Sequence, residues 1–145
     1  MQVNSKNERG FSLIEILAVL ALLAIILTMV APNVIKQFQN GKAQATINQV
    51  NSLKSVLNAY YMDNGAYPSS EQGLKALAEK PSIAPVPDNW NGPYLDEGKL
   101  PKDSWNNELK YECPGKHNPE KYDLYSLGAD NKEGGTGQNA DVSNW

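Results

Sequence analysis

Residues 11–31, FSLIEILAVLALLAIILTMVA, constrain the fold more than any other stretch of the chain, because only Ser12, Glu15 and Thr28 interrupt their apolar run. At about 1.5 Å of rise per residue, a helix of this length covers roughly 31 Å, the hydrocarbon thickness of a bilayer. The segment therefore predicts a single membrane span close to the N-terminus. Beyond it the composition changes: most of the Gly, Pro and charge of the 145 residues lies in the C-terminal half. That is the pattern of one modest soluble domain on an anchor.

The net charge is -3, and it is more negative still without the Lys6, Glu8 and Arg9 region. Nucleic-acid binding needs clustered Lys and Arg, and Tyr122, Tyr125 and Trp145 are not interleaved with a basic stripe, so no nucleic-acid partner is expected. Cys113 is the only cysteine, which excludes an intramolecular disulfide. Cys113 and His117 in CPGKH offer two ligands where zinc needs three or four. They read as a small buried thiol and a surface imidazole.

A secretory signal peptide has an apolar run of about 7 to 15 residues and a small-residue cut site. This run is longer, and a cut after Ala31 would place Met29 in a small-residue position and Pro32 just past the scissile bond. Basic residues lie on both sides of the span, Lys6 and Arg9 before it and Lys36 and Lys42 after it, so charge does not orient it. Glu15 is the anomaly. A carboxylate in the bilayer costs on the order of 2 to 3 kcal/mol or more, which makes it either a functional group with a partner or a residue that snorkels or protonates near the interface.

The string RGFSLIE at residues 9–15, followed by the apolar run, resembles the class III signal of type IV pilins and of the pseudopilins of type II secretion. The resemblance implies cleavage by a prepilin peptidase between Gly10 and Phe11, N-methylation of Phe11, and an assembly role for Glu15 opposite the new amine of a neighbouring chain. Pairing within one chain, four residues apart, is the competing arrangement.

After Pro32 the apolar residues become periodic, with Val34, Ile35, Phe38, Ile47, Val50, Leu53, Val56, Leu57, Tyr60 and Tyr61 at spacings of three and four. Residues 11–64 thus predict one helix of roughly 80 Å, bent or loosened near Pro32 and Gly41 and stopped at Asn64 and Gly65. Asn48, Gln49, Asn51, Ser52 and Lys54 form the expected solvated face. A short helix over residues 70–79, capped by Ser69 or Ser70, a Pro-rich loop over 81–93, and short strands over 109–113 and 122–127 complete the expectation.

Three further strings, MDNGAYPSSEQGLKAL at 62–77, LPKDSWN at 100–106 and YDLYSLGAD at 122–130 with the ending DVSNW, are similar to the major pseudopilin of type II secretion. LPKDSWN departs from that family's pattern at Ser104 and Asn106. The resemblance implies an α+β, type IV pilin-like fold: a long N-terminal helix on a small head with a short antiparallel β-sheet. It divides the chain into a cleaved leader (1–10), a transmembrane and assembly half of the helix (11–31), an amphipathic half (32–64) and a periplasmic head (65–145).

It also implies a calcium-type loop. Side-chain oxygens of Asp130, Asn139 and Asp141 and carbonyls of Leu127, Lys132 and Val142 would hold calcium, a cation that takes about six to eight oxygen ligands. The loop is not an EF-hand, since Lys132 and Gly134 fall where that motif needs side-chain oxygens. Ala140 stands where many members of the family carry a second acid. The implied function is structural, that of the major subunit of a pseudopilus helping to export folded proteins across the outer membrane. Its partners would be copies of itself, a prepilin peptidase, minor pseudopilins and the inner-membrane secretion platform. It would be stored in the inner membrane as a single-pass protein with its head in the periplasm. Two other readings compete: a pilin of an adhesive or DNA-uptake filament, and a membrane-anchored hydrolase using Glu71, Asp103 or Glu112.

Overall fold

The computed structural model describes residues 10–145. The expected leader therefore lies, except for Gly10, outside the described residues. Two compact units emerge, one ending at Phe38 and the other covering Gln39–Trp145.

Helix α1, Leu13–Asn64, runs without interruption through Pro32 and Gly41, where the sequence predicts a bend or loosening. Pro32 has no N–H to give, and side chains nearby engage neighbouring carbonyls: Thr28 Oγ donates to Ile25 O at 2.7 Å and Asn33 Nδ2 to Met29 O at 3.4 Å. The helix ends as expected. Gly65 adopts φ 74°, open to glycine without strain, and its N–H closes on the Tyr61 carbonyl at 2.7 Å.

In the first unit every described residue from Gly10 to Phe38 is exposed. In the second, α1 buries a single stripe of Thr46, Val50, Leu53, Leu57 and Tyr60. Ile47 and Tyr61, expected on the same face, remain exposed because each follows a stripe residue by one position, about 100° around the helix. Gln49, expected to be solvated, is half-buried.

The core continues through Leu74, Ala76, Leu77, Leu109, Tyr122 and Leu124. Ser69 is the cap of the segment after the spine: its Oγ accepts from Gln72 N while Gln72 Oε1 accepts from Ser69 N, a reciprocal box. The expected ten-residue helix is only a turn followed by a 3-10 helix at Leu74–Leu77, because Gly73 at φ 60° breaks the helical path between them. Gln72 Nε2 then pins the Pro-rich loop through the carbonyls of Ile83 and Pro85, both at 2.8 Å.

The sheet is antiparallel in the order β1 (Lys110–Glu112), β2 (Asp123–Ser126), β3 (Val142–Ser143). The first two fall inside the expected strands. The third, only two residues long within a polar tail, has no pattern from which to predict it.

Candidate functional site

Each unit carries one feature of chemical interest. At the entry to α1, Gly10 and Phe11 precede the helix and are exposed. Ser12 and Glu15 form a reciprocal pair: Ser12 Oγ accepts from Glu15 N at 3.2 Å, and Glu15 Oε2 accepts from Ser12 N at 3.4 Å. This capping box places the carboxylate on an otherwise unpaired backbone donor and at the positive end of the helix dipole. The expected assembly residue thus has a local partner within its own chain, and that partner is a backbone N–H and not an amine. The S-x-x-E pattern that encodes the box is visible in the sequence, but its attraction to the membrane problem of Glu15 hides its capping role.

In the second unit the sheet register creates the other feature. Ser126 pairs with Val142 and Tyr125 with Ser143, so the loop between β2 and β3 returns to its own starting point. Leu127 and Asp141, from opposite ends of the loop, line one cavity of about 470 Å³ together with Glu133. Within the loop, Ala129 N donates to Gln138 O at 2.9 Å and Gly134 N to Asp141 Oδ2 at 2.9 Å. Asp130 Oδ1 accepts from Lys132 N at 3.2 Å.

Two glycines permit this fold. A Cβ on Gly128 would sit 2.8 Å from the Asn139 carbonyl carbon, and one on Gly135 would sit 2.5 Å from the Asn139 oxygen. Both glycines have positive φ, so an L side chain there would be strained as well as crowded.

Of the residues expected to hold calcium, Leu127 and Asp141 line the cavity of about 470 Å³, whereas Asp130, Lys132, Asn139 and Val142 do not. Leu127, Asp141 and Val142 meet at the mouth of the loop, and Asn139 is wedged against Gly128 and Gly135. Among the described residues no three His, Cys, Asp or Glu side chains converge as a metal cluster. A cation would therefore draw chiefly on carbonyl and amide oxygens with few carboxylates, a donor set that fits calcium and is too hard for zinc. Glu133, which the sequence reading passes over, adds a carboxylate to the same cavity wall.

Beside the loop, Asp123 is buried and accepts hydrogen bonds from His117 N at 2.8 Å and from Asn118 N and Nδ2, both at 3.0 Å. Burial pushes its carboxyl up, but the His117 and Asn118 donors outweigh it and hold the group below the usual carboxylate range. Gly115 makes room, since a Cβ there would lie 2.4 Å from Asp123 Oδ1. The His117 ring stacks on Trp145 with centroids 4.0 Å apart, so the imidazole is more engaged than a plain surface group. Cys113 is half-buried, with Sγ 3.3 Å from Lys121 O, and burial raises its pKa. It is a half-buried thiol where the sequence leads one to expect a buried one.

The three carboxylates of the hydrolase reading are not assembled into a site. Glu71 and Glu112 line different cavities, Glu112 pairs with Lys116 at 3.4 Å, and Asp103 is buried with its oxygens committed to hydrogen bonds.

A fully exposed apolar helix segment with a carboxylate in its first turn, continuous with a helix that carries a small antiparallel sheet, defines a pilin-like subunit. The prokaryotic N-terminal methylation motif matches residues 5–31, and the family model for type II secretion system protein G matches residues 33–145. The chain belongs to the type II secretion system protein G family, and it is a major pseudopilin, a structural component of that secretion system.

Two relatives, both described as type II secretion system core protein G, illustrate the match. The Pseudomonas aeruginosa protein is 43% identical over 141 residues, covering 97% of this chain and 96% of its own. The Vibrio cholerae protein is 37% identical over 141 residues, covering 97% and 93%. The crystal structure of the major pseudopilin from the type 2 secretion system of enterohaemorrhagic Escherichia coli superposes with a TM-score of 0.65 at 32% identity, covering 79% of this chain and 95% of that one.

Proposed function

We infer that this pseudopilin is cleaved between Gly10 and Phe11, methylated at Phe11, and polymerised through its N-terminal helix into a periplasmic pseudopilus that helps move folded proteins across the outer membrane. Its role is mechanical and not enzymatic. Before assembly, residues 11–31 hold it in the inner membrane with the head in the periplasm. Its partners are further copies of itself, a prepilin peptidase, minor pseudopilins and the inner-membrane platform.

The observation that carries this reading is that every residue from 10 to 38 is exposed. Lipid covers such a surface in the stored subunit, and neighbouring copies of the same helix cover it in a filament. The Ser12–Glu15 box supports the same account. It supplies a hydrogen bond that lowers the cost of keeping a carboxylate at the membrane, and the bond is weak enough at 3.4 Å to be exchanged for a stronger one with a neighbour's terminal amine.

In the head, the loop over residues 127–142 binds calcium through the side chains of Asp130, Asn139 and Asp141 and the carbonyls of Leu127, Lys132 and Val142. Calcium would bind the loop ends together at the edge of the sheet, where the pairing of Ser126 with Val142 brings the two ends of the loop side by side.

Mass spectrometry of the membrane fraction tests the reading. N-methylated Phe11 is the expected first residue, and a mature protein beginning at Met1 or beyond Ala31 would defeat it. Glu15→Leu should insert normally and fail to form filaments; wild-type filament yield from that variant would remove the assembly role of Glu15.

A further inference from the structure

Asp103 is a buried carboxylate of the head with both oxygens hydrogen-bonded. Its Oδ1 accepts from Trp105 N at 2.9 Å and Asn107 N at 2.8 Å, which shapes the 103–107 turn. Its Oδ2 accepts from the Ser126 hydroxyl at 2.6 Å. Ser126 Oγ in turn accepts from Gly128 N at 3.1 Å, and Asn107 Nδ2 donates to Gly128 O at 2.9 Å. The turn is also tied to the spine, where Ser104 N donates to Oγ of the fully buried Thr46 at 3.2 Å.

These bonds converge on Ser126 and Gly128, the two residues flanking Leu127. With both neighbours held, the Leu127 peptide has little freedom to rotate, and its carbonyl is a donor of the calcium loop. Gly128 also packs on the backbone of Asn139, whose side chain is a second donor in the calcium reading. A turn could be shaped by Oδ1 alone. The use of Oδ2, through a short charge-assisted bond, ties that turn to the loop mouth.

The geometry points to Asp103 as the positioning residue of the calcium loop: through Ser126, Asn107 and Gly128 it orients the Leu127 carbonyl, and through Ser104 and Thr46 it fastens that mouth to the spine helix. The inference rests on the calcium reading above. Partners that orient metal ligands typically govern affinity by about 10-fold to 100-fold.

Calcium titration calorimetry on the full chain in detergent, after chelator treatment, tests it alongside thermal melting in chelator. Ser126→Ala and Asp103→Asn should each weaken calcium binding by about tenfold or more. Asn107→Ala, which removes only the bond to Gly128 O, should weaken it by less. Thr46→Val breaks the tie to the helix but leaves the mouth intact, so it should lower the melting temperature in chelator and keep wild-type affinity.

A residue that merely stabilised the head would show the Thr46→Val pattern at every position. Wild-type calcium affinity in folded Ser126→Ala would therefore overturn the assignment, and if Asp103→Asn or Ser126→Ala does not fold, wild-type affinity in Asn107→Ala does so. Absence of calcium binding by the wild-type chain itself is a different result. It would bring down the calcium reading and this inference with it.

Discussion

From Gly10 to Phe38 the chain buries nothing, whereas from Thr46 onward the same helix contributes the central stripe of a closed core with Leu57, Leu77 and Leu124 fully enclosed. Both stretches are helical and both are rich in Leu, Ile and Val, so propensity does not separate them. What separates them is where the apolar surface goes: in one it surrounds the helix, in the other it occupies one stripe that the rest of the chain covers. The first must be satisfied by lipid or by other molecules, the second by the fold itself.

The sharpest way to break that contrast is to damage the second region and ask whether the first responds. Leu57→Ala removes a fully buried side chain and should cost about 2 to 5 kcal/mol. In a domain of this size that lowers the melting temperature by roughly 10 °C or more. Near-UV circular dichroism would follow the melting, and membrane fractionation would follow insertion, which should be unchanged. A chain that left the membrane on this substitution would show that the two regions are not independent.

Calcium removal comes next. At a free concentration one hundred times its dissociation constant, a ligand of the folded head adds about 2.7 kcal/mol, so chelation should lower the melting temperature of the wild type, and Asp130→Ala should abolish that response. Again only the head should be affected.

A smaller effect is expected at Asp123. Its carboxyl is held below the usual range by the His117 and Asn118 donors, so the unfolded state binds the proton more readily than the folded one. The stabilisation is complete above the unfolded pKa of about 3.9 and is lost as pH falls through the lower folded value. Asp123→Asn leaves some of the donors without an anionic acceptor and should cost about 1 to 3 kcal/mol near neutrality. In urea unfolding the gap between wild type and variant should close on acidification below pH 4; a gap that persisted or widened would mean that the anion is not what the donors stabilise.

The unequal legibility of the two regions follows from the same contrast. The span, the stripe at Val50, Leu53, Leu57 and Tyr60, the helix stop at Gly65 and the first two strands are local patterns, and local patterns can be read from one sequence. Thr46, Asp103 and Ser126 carry no such pattern. They are polar residues buried through long-range bonds, Thr46 with Ser104 at a separation of 58 positions and Asp103 with Ser126 at 23. The short helix expected over 70–79 failed for a local reason, the positive φ of Gly73, which composition alone does not reveal. For the loop, the sequence shows that Asp130, Asn139 and Asp141 carry side-chain oxygens, while the return of Val142 to Ser126 and the presence of Glu133 on the cavity wall required the three-dimensional structure.

The smallest predicted effect tests the contrast most directly. Leu20 lies in the apolar run and is 56% exposed. Leu20→Ala deletes as many carbon atoms as Leu57→Ala, yet the melting temperature of the head in detergent should stay the same to within about 0.5 kcal/mol, the range of surface substitutions away from the core. Its consequence belongs instead to assembly, where the lost side chain would have packed on another copy, and filament yield should fall while the head melts normally. If Leu20→Ala lowered head stability as Leu57→Ala does, the apolar run would have to be covered by its own chain, and the division between a helix that waits for neighbours and a helix that serves a core would be wrong.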